Sequence, residues 1–266
     1  MKSGSAIPEY TIRRCETLED YDACLQMQRR VWQFSDLDIT PLRSFVIARR
    51  GGGFTAGAFD SNNRLIGFAH ALAAFDEKLR PYYYSQMLAV EPGLQNSGIG
   101  VKLKLAQRDH ALKTGVPLLT WTFDPLQSRN AHFNINKLGV VIRRYEENYY
   151  GEGASTVFDT GVPSDRIFAE WWVQSPHVES VLAGARPQFE EGPSVIIPYD
   201  IDAIRQQSVE NHLRWRLNTR EDFRNKLGRG SIARGFASDG ERSESRYLLG
   251  PDEEQFSFAA YQGVKV

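Results

Sequence analysis

The sequence lacks any apolar run close to the roughly 20 residues that cross a bilayer as a helix, so no membrane-spanning segment is expected. Its first ten residues, MKSGSAIPEY, hold no apolar core of the kind a secretory leader carries, and a cytoplasmic location is the expectation. There are only two cysteines, Cys15 and Cys24, and they form no C-x-x-C pair; reduced thiols are expected rather than a disulfide framework. Five scattered histidines offer no pair at metal-ligand spacing, so no metal is expected. Basic residues occur as pairs (Arg29-Arg30, Arg49-Arg50, Arg143-Arg144) and never as runs, and the formal net charge is −1. Neither nucleic acid nor an anionic membrane surface is therefore an expected partner. Hydrophobic residues make up 41% and charged ones 24%, the balance of a globular chain long enough for one large domain or a domain with an appendage.

The most informative stretch is Tyr82 to Thr114. The apolar run Met87-Leu88-Ala89-Val90 leads into a turn at Glu91-Pro92-Gly93, then into Gln95-Asn96-Ser97-Gly98-Ile99-Gly100. A segment with helical spacing follows, in which Ile99, Leu103, Ala106 and His110 share a face. Strand, glycine-bearing turn and helix in that order leave unpaired N–H groups at a helix N-terminus, where the dipole favours an anion such as phosphate. A Walker loop would need Lys-Ser or Lys-Thr after Gly98, where Ile99-Gly100 stands. A dinucleotide fingerprint would need a small residue at Leu103. What survives is Q-x-x-G-x-G after a strand ending in Ala-Val.

This strand–VEP–QNSGIG–helix order resembles the pyrophosphate loop of the GNAT acetyltransferase superfamily. The resemblance covers about residues 10–173. Within the superfamily it is nearest to predicted acetyltransferases with an extra C-terminal region, through TFDPLQSRNAHFNINKLGV and RIFAEWWV. It implies an α/β fold: a mixed, mostly antiparallel central sheet flanked by helices, with a GNAT domain at 1–175 and a smaller α+β extension at 176–266. It also implies an acyltransferase, N-acetyl transfer foremost, that moves an acyl group from acetyl-CoA or another acyl-CoA to a small-molecule acceptor. By position, Gln95, Asn96, Ser97, Gly98, Ile99 and Gly100 would hold the pyrophosphate. The backbone of Leu88, Ala89 and Val90 would pair with pantetheine as an added strand does, and Asn130 would touch the pantetheine arm. Many members carry a Tyr acid four residues before the glycine that ends the short helix; here that position is Ile135, facing the core with Ala131 and Leu138. Tyr145, Tyr149 and Tyr150 are substitutes.

The residues themselves leave the base open. Asp124 ends the strand Leu118–Phe123, where α/β sheets place ligands. It can accept a proton or cap the turn before Pro125. Ser85 and Gln86 could place the acceptor, although strand alternation puts only one of them on a given face. Glu91 is expected in solvent. Elsewhere, Thr17 with Asp20 reads as a capping box, and Asp60-Ser61-Asn62-Asn63 as a hairpin turn. Ser128 reads as a cap of a short helix over 129–138, and Gly151, Gly153 and Gly161 as loop markers. Residues 1–9 read as a loose terminus. Past 176 the order β-α-α-β-β returns, and GGGFTAGAFDSNN (51–63) aligns with GRGSIARGFASDG (228–240) at five identical positions, which suggests a half-repeat. That region has no second Q-x-x-G-x-G, so it should bind no second coenzyme and instead shape the acceptor site or a homodimer contact. Two other readings compete with the enzyme: a non-catalytic CoA-binding or interaction module, and a transferase of the same fold with a different acyl or aminoacyl donor.

Overall fold

A computed structural model describes residues 7–151, 161–186, 192–228 and 230–257. Residues 1–6 of the expected loose terminus, and Gly153, lie outside the described residues. The chain divides into two compact units, one running to Leu119 and the other from Thr120 onward. The boundary expected at 175/176 falls inside the second unit.

The first unit runs β1 (Tyr10–Arg14), α1 (Leu18–Trp32), α2 (Leu42–Arg50), β2 (Phe54–Asp60), β3 (Leu65–Phe75), β4 (Pro81–Val90) and α3 (Ile99–Thr114). Its strands lie in the order β1-β2-β3-β4, and every pairing is antiparallel. The expected capping box forms: the Asp20 N–H donates to Thr17 Oγ1 at 3.2 Å, and Asp20 Oδ2 accepts from the Thr17 N–H at 3.3 Å. The sheet is apolar on both faces because a helix layer covers each. Tyr21, Cys24, Met27 and Phe45 of α1 and α2 pack on Phe68, Met87 and Ala89; Ile99 and Leu103 of α3 pack on Ala56, Ala58, Ile66 and Ala69. Both cysteines are buried thiols in the first of these cores.

The second unit holds β5 (Leu118–Phe123, entering from the first), α4 (Ser128–Ala131), β6 (Val141–Glu146), β7 (Arg166–Trp172), α5 (Pro176–Leu182), β8 (Ser194–Pro198), α6 (Ile201–Gln207), α7 (Val209–Lys226), β9 (Ser231–Asp239) and β10 (Glu244–Pro251). The strand order is β5-β7-β6-β9-β10-β8. The C-terminal strands thus extend the sheet that β6 and β7 belong to, through the Ile142↔Ala233 pairing. Mixed α/β architecture with a mostly antiparallel sheet is as expected.

Three local readings change. The short helix begins at Ser128, whose hydroxyl pairs with Ser245 Oγ at 2.8 Å and so is not available as a cap; beyond Ala131 it continues as a π-helical turn, His132–Lys137. The two helices expected in the β-α-α-β-β order past 176 are present and are divided at Ser208, which caps α7 by accepting from the Asn211 N–H at 3.1 Å. α5 was not foreseen; its signal is the Ser175-Pro176 pair, in which Ser175 caps and Pro occupies the first turn. The half-repeat keeps the element order but not the pairing. β1 lies beside β2, whereas β8 lies beside β10.

Candidate functional site

The glycine turn leaves β4 and enters α3 as expected. Gly98 is the residue before the helix, with φ 87° and ψ −9°, a conformation that costs glycine little and other residues more. α1, α5, α6 and α7 each have a side-chain N-cap, from Thr17, Ser175, Asp200 and Ser208. α3, sixteen residues long, has no side-chain cap and no acidic residue in its first turn. Its leading N–H groups and the positive end of its dipole are thus free for an anion. Nothing lies within 4 Å of where a Gly98 β-carbon would be, so the turn opens outward. Asn96 also sits at positive φ (64°), which Asn tolerates better than most residues. Ser97 Oγ donates to the Leu94 carbonyl and stiffens the loop. Glu91, expected in solvent, is only 15% exposed in its side chain because Arg30 (3.2 Å) and Arg64 (3.6 Å) hold it.

α3 is seated against the sheet by a glycine. A β-carbon on Gly67 would come within 3.1 Å of the Ala89 carbonyl oxygen and 3.2 Å of Ile99 and Leu103. Gly67 pairs with Val90 and Ala69 with Leu88, so Leu88, Ala89 and Val90 lie directly before the loop on the strand beneath the helix start.

Four residues upstream, β4 is irregular. His70 pairs with Met87 and Ala71 with Ser85, which leaves Gln86 as the extra residue of a bulge. The bulge reverses the alternation. Ser85 points into the α3 layer, Met87 and Ala89 into the α1/α2 layer, and Gln86 is exposed in the middle of the strand. Ser85 Oγ donates to Gln107 Oε1 at 2.9 Å, and Lys104 Nζ donates to Ser85 Oγ at 2.8 Å. All three are buried, and burial pushes the Lys104 ammonium well below its ordinary pKa. The sequence reading missed Lys104 and Gln107. Their positions relative to Ile99, Leu103 and Ala111 put them on the sheet-facing side, but a polarity pattern assigns Lys and Gln to solvent.

In the second unit, Asp124 is committed. Arg216 donates to its two oxygens at 2.9 and 2.7 Å, the Leu126 N–H donates to Oδ1 at 2.8 Å, and Arg166 lies at 3.9 Å. Burial alone would raise its pKa; the Arg216 guanidinium outweighs burial and holds the carboxyl below the usual range. A carboxylate anchored in this way is a weak proton acceptor, and the turn-capping geometry is fully formed. Tyr145 is locked too: it donates to Asp165, which also takes Arg220 at 2.9 and 2.8 Å, and burial with that carboxylate raises the phenol pKa. Tyr149 and Tyr150 stack edge-on, with Arg166 over the Tyr150 ring. Asn130 is exposed on α4 and makes no hydrogen bond among the described residues. Ile135 is 2% exposed beside fully buried Ala131 and Leu138, as its apolar face predicted.

No protein-family model matches the chain, and no curated protein matches it significantly. Among solved structures, GNAT-family acetyltransferases are returned. The ribosomal-protein-S18-alanine N-acetyltransferase from Escherichia coli is 19% identical, with 62% of this chain and 94% of that one covered and a TM-score of 0.49. A GNAT-family acetyltransferase from Streptococcus pneumoniae is 20% identical, with 61% and 98% covered and a TM-score of 0.47. A chain of the NatC complex bound to Gag peptide and CoA is 16% identical, with 61% and 97% covered and a TM-score of 0.49. A likeness at this level fixes neither family nor activity. Among the described residues no group of three or more His, Cys, Asp or Glu is placed to hold a metal, and no helix is long and apolar enough to cross a membrane.

Proposed function

We propose that the protein is an acyl-CoA-dependent acyltransferase of the GNAT type, acting on an amine of a small-molecule acceptor. The observation that carries this is the uncapped start of α3, presented by the Gly98 turn at the end of a bulged central strand. The N–H groups around Gln95–Gly100 bind the pyrophosphate. The backbone of Leu88, Ala89 and Val90 lies alongside pantetheine, and a strand N–H polarises the thioester carbonyl. The neutral acceptor nitrogen attacks the thioester carbon, the nitrogen gives up its proton to water, and the tetrahedral intermediate collapses to the amide as the C–S bond breaks and the coenzyme leaves as thiolate. The departing thiol has an ordinary pKa of about 8.5, so it can leave as thiolate near neutral pH without the acid that Ile135 fails to supply. Calorimetric titration of acetyl-CoA should show binding by the wild type and loss of it in Gly98→Glu, which brings a like charge to the phosphate site. An equal titration of both proteins would sink the proposal.

A second reading, a CoA-binding module without turnover, is favoured by one set of observations: Ile135 is core, Asp124 is held by Arg216, and Tyr145 is held by Asp165. Release of free thiol from acetyl-CoA across a broad amine screen separates the two. Turnover with any amine excludes the module.

A further inference from the structure

The two hairpin turns of the first unit are built alike. In Asp60-Ser61-Asn62-Asn63-Arg64, Asp60 Oδ1 accepts from the N–H groups of Asn62 and Arg64, and the Asp60 N–H donates to the Arg64 carbonyl. In Asp76-Glu77-Lys78-Leu79-Arg80, Asp76 Oδ1 accepts from Lys78 and Arg80, and the Asp76 N–H donates to the Arg80 carbonyl. The fourth residue is left-handed in both, Asn63 at φ 58° and Leu79 at φ 59°. Asn tolerates that conformation; a bulky Leu does not adopt it readily. Leu79 is nevertheless there, 79% exposed, and Phe75 beside it is 65% exposed. Neither side chain belongs to either of the unit's two cores. The Asp76 bonds, with Arg80 Nε donating to Oδ2 at 2.9 Å, make the turn a stiff finger.

A cleft with apolar and basic lining residues lies at the same end of the sheet. β1 ends where β2 begins (Arg14↔Ala56), β2 begins opposite Ala71 of β3, and β3 runs on past that point to the finger. The start of α1 and the end of α2 flank this end and border an open cleft of about 520 Å³. It is lined by Leu18, Tyr21 and Val46 together with the polar Glu16, Thr17, Arg49 and Arg50. Arg49 is occupied by Glu16, through the carbonyl at 2.8 Å and the carboxylate at 3.6 Å. Arg50 makes no ion pair among the described residues, and neither does Glu77 of the finger.

We propose that the finger and the cleft are the two halves of an isologous contact between copies of this chain. Phe75 and Leu79 of each copy enter the cleft of the other, with Glu77 facing Arg50. A knob and a hole at one end of the same unit are what a two-fold pair requires, because each copy then gives and receives the same contact. The inference does not depend on the chemistry proposed above.

Sedimentation velocity over a wide range of concentrations tests it. The wild type should show a concentration-dependent dimer. Leu79→Asn puts a residue suited to φ 59° at the turn, so it should keep or raise the melting temperature of the monomer while weakening the dimer roughly tenfold or more. Glu77→Lys and Arg50→Glu should each weaken the dimer, and the two together in one chain should restore it. A wild type that is monomeric at every concentration overturns the proposal. So does a dimer that ignores all three substitutions, or one that the double exchange fails to restore.

Discussion

At the scale of single residues, Asp124 shows what a pattern in the chain can and cannot reveal. Its position at the end of β5 was readable, and so was its fitness to cap a turn. Its partner was not, because Arg216 stands 92 positions later on a different helix. A carboxylate facing an arginine that is 2% exposed is an anchor whose removal leaves a buried cation. Asp124→Asn should therefore destabilise the fold by about 3 kcal/mol in urea unfolding. Acyl transfer by the folded fraction should change little. A loss of rate by roughly 10²–10⁴-fold with stability intact would restore Asp124 as the base. Ile135→Tyr addresses the acid. The site is closed by Ala131 and Leu138, so the larger ring should cost ~1–3 kcal/mol of stability. Affinity for acetyl-CoA should stay the same and turnover should not rise; a large gain would mean that thiol departure limits the reaction after all.

Among the elements, most of the strands and the start of α3 were legible, because alternation, glycine turns and capping residues are local signals. The bulge in β4 was not. Tyr83, Ser85, Met87 and Ala89 read as one face, and only the register against β3 shows that Gln86 splits them between two layers. The same limit hid Lys104 and Gln107, whose burial follows from what faces them rather than from their own polarity. The close seat of α3 on Gly67 is testable at this scale. Gly67→Ala presses on Ile99 and Leu103, and so forces α3 away from β3 by a few tenths of an ångström, with the Ala89 carbonyl crowded as well. It should cost ~1–3 kcal/mol in stability and weaken acetyl-CoA binding by calorimetry, since the N–H groups of α3 move with the helix. Unchanged affinity at reduced stability would uncouple the helix seat from the phosphate site.

For the whole molecule, pH acts through buried histidines. Burial lowers the pKa of His70 to about 4, and burial with nearby Arg234 does the same for His177. A histidine whose folded pKa lies below its unfolded value of about 6.5 contributes stability that is complete above that value. The contribution is lost as pH falls towards 4, at about 3 kcal/mol for each group. Urea midpoints should drop steeply between pH 6.5 and 4, and His70→Phe should remove part of that slope. A flat acid limb in the wild type would show that neither ring stays neutral in the fold. The placement of the described residues past 176 was the least legible feature of the chain; the Ile142↔Ala233 pairing, with the Asp124–Arg216, Asp165–Arg220 and Ser128–Ser245 contacts, joins them to β5–β7 and their loops within the second unit. That pairing has a consequence for synthesis. The β6 edge emerges from the ribosome 91 residues (233 − 142) ahead of the strand that covers it. At typical elongation rates the nascent chain carries an open strand edge for on the order of 5–20 s. A chain stopped at residue 175 would carry that edge permanently, and should partition into the insoluble fraction where the full chain does not.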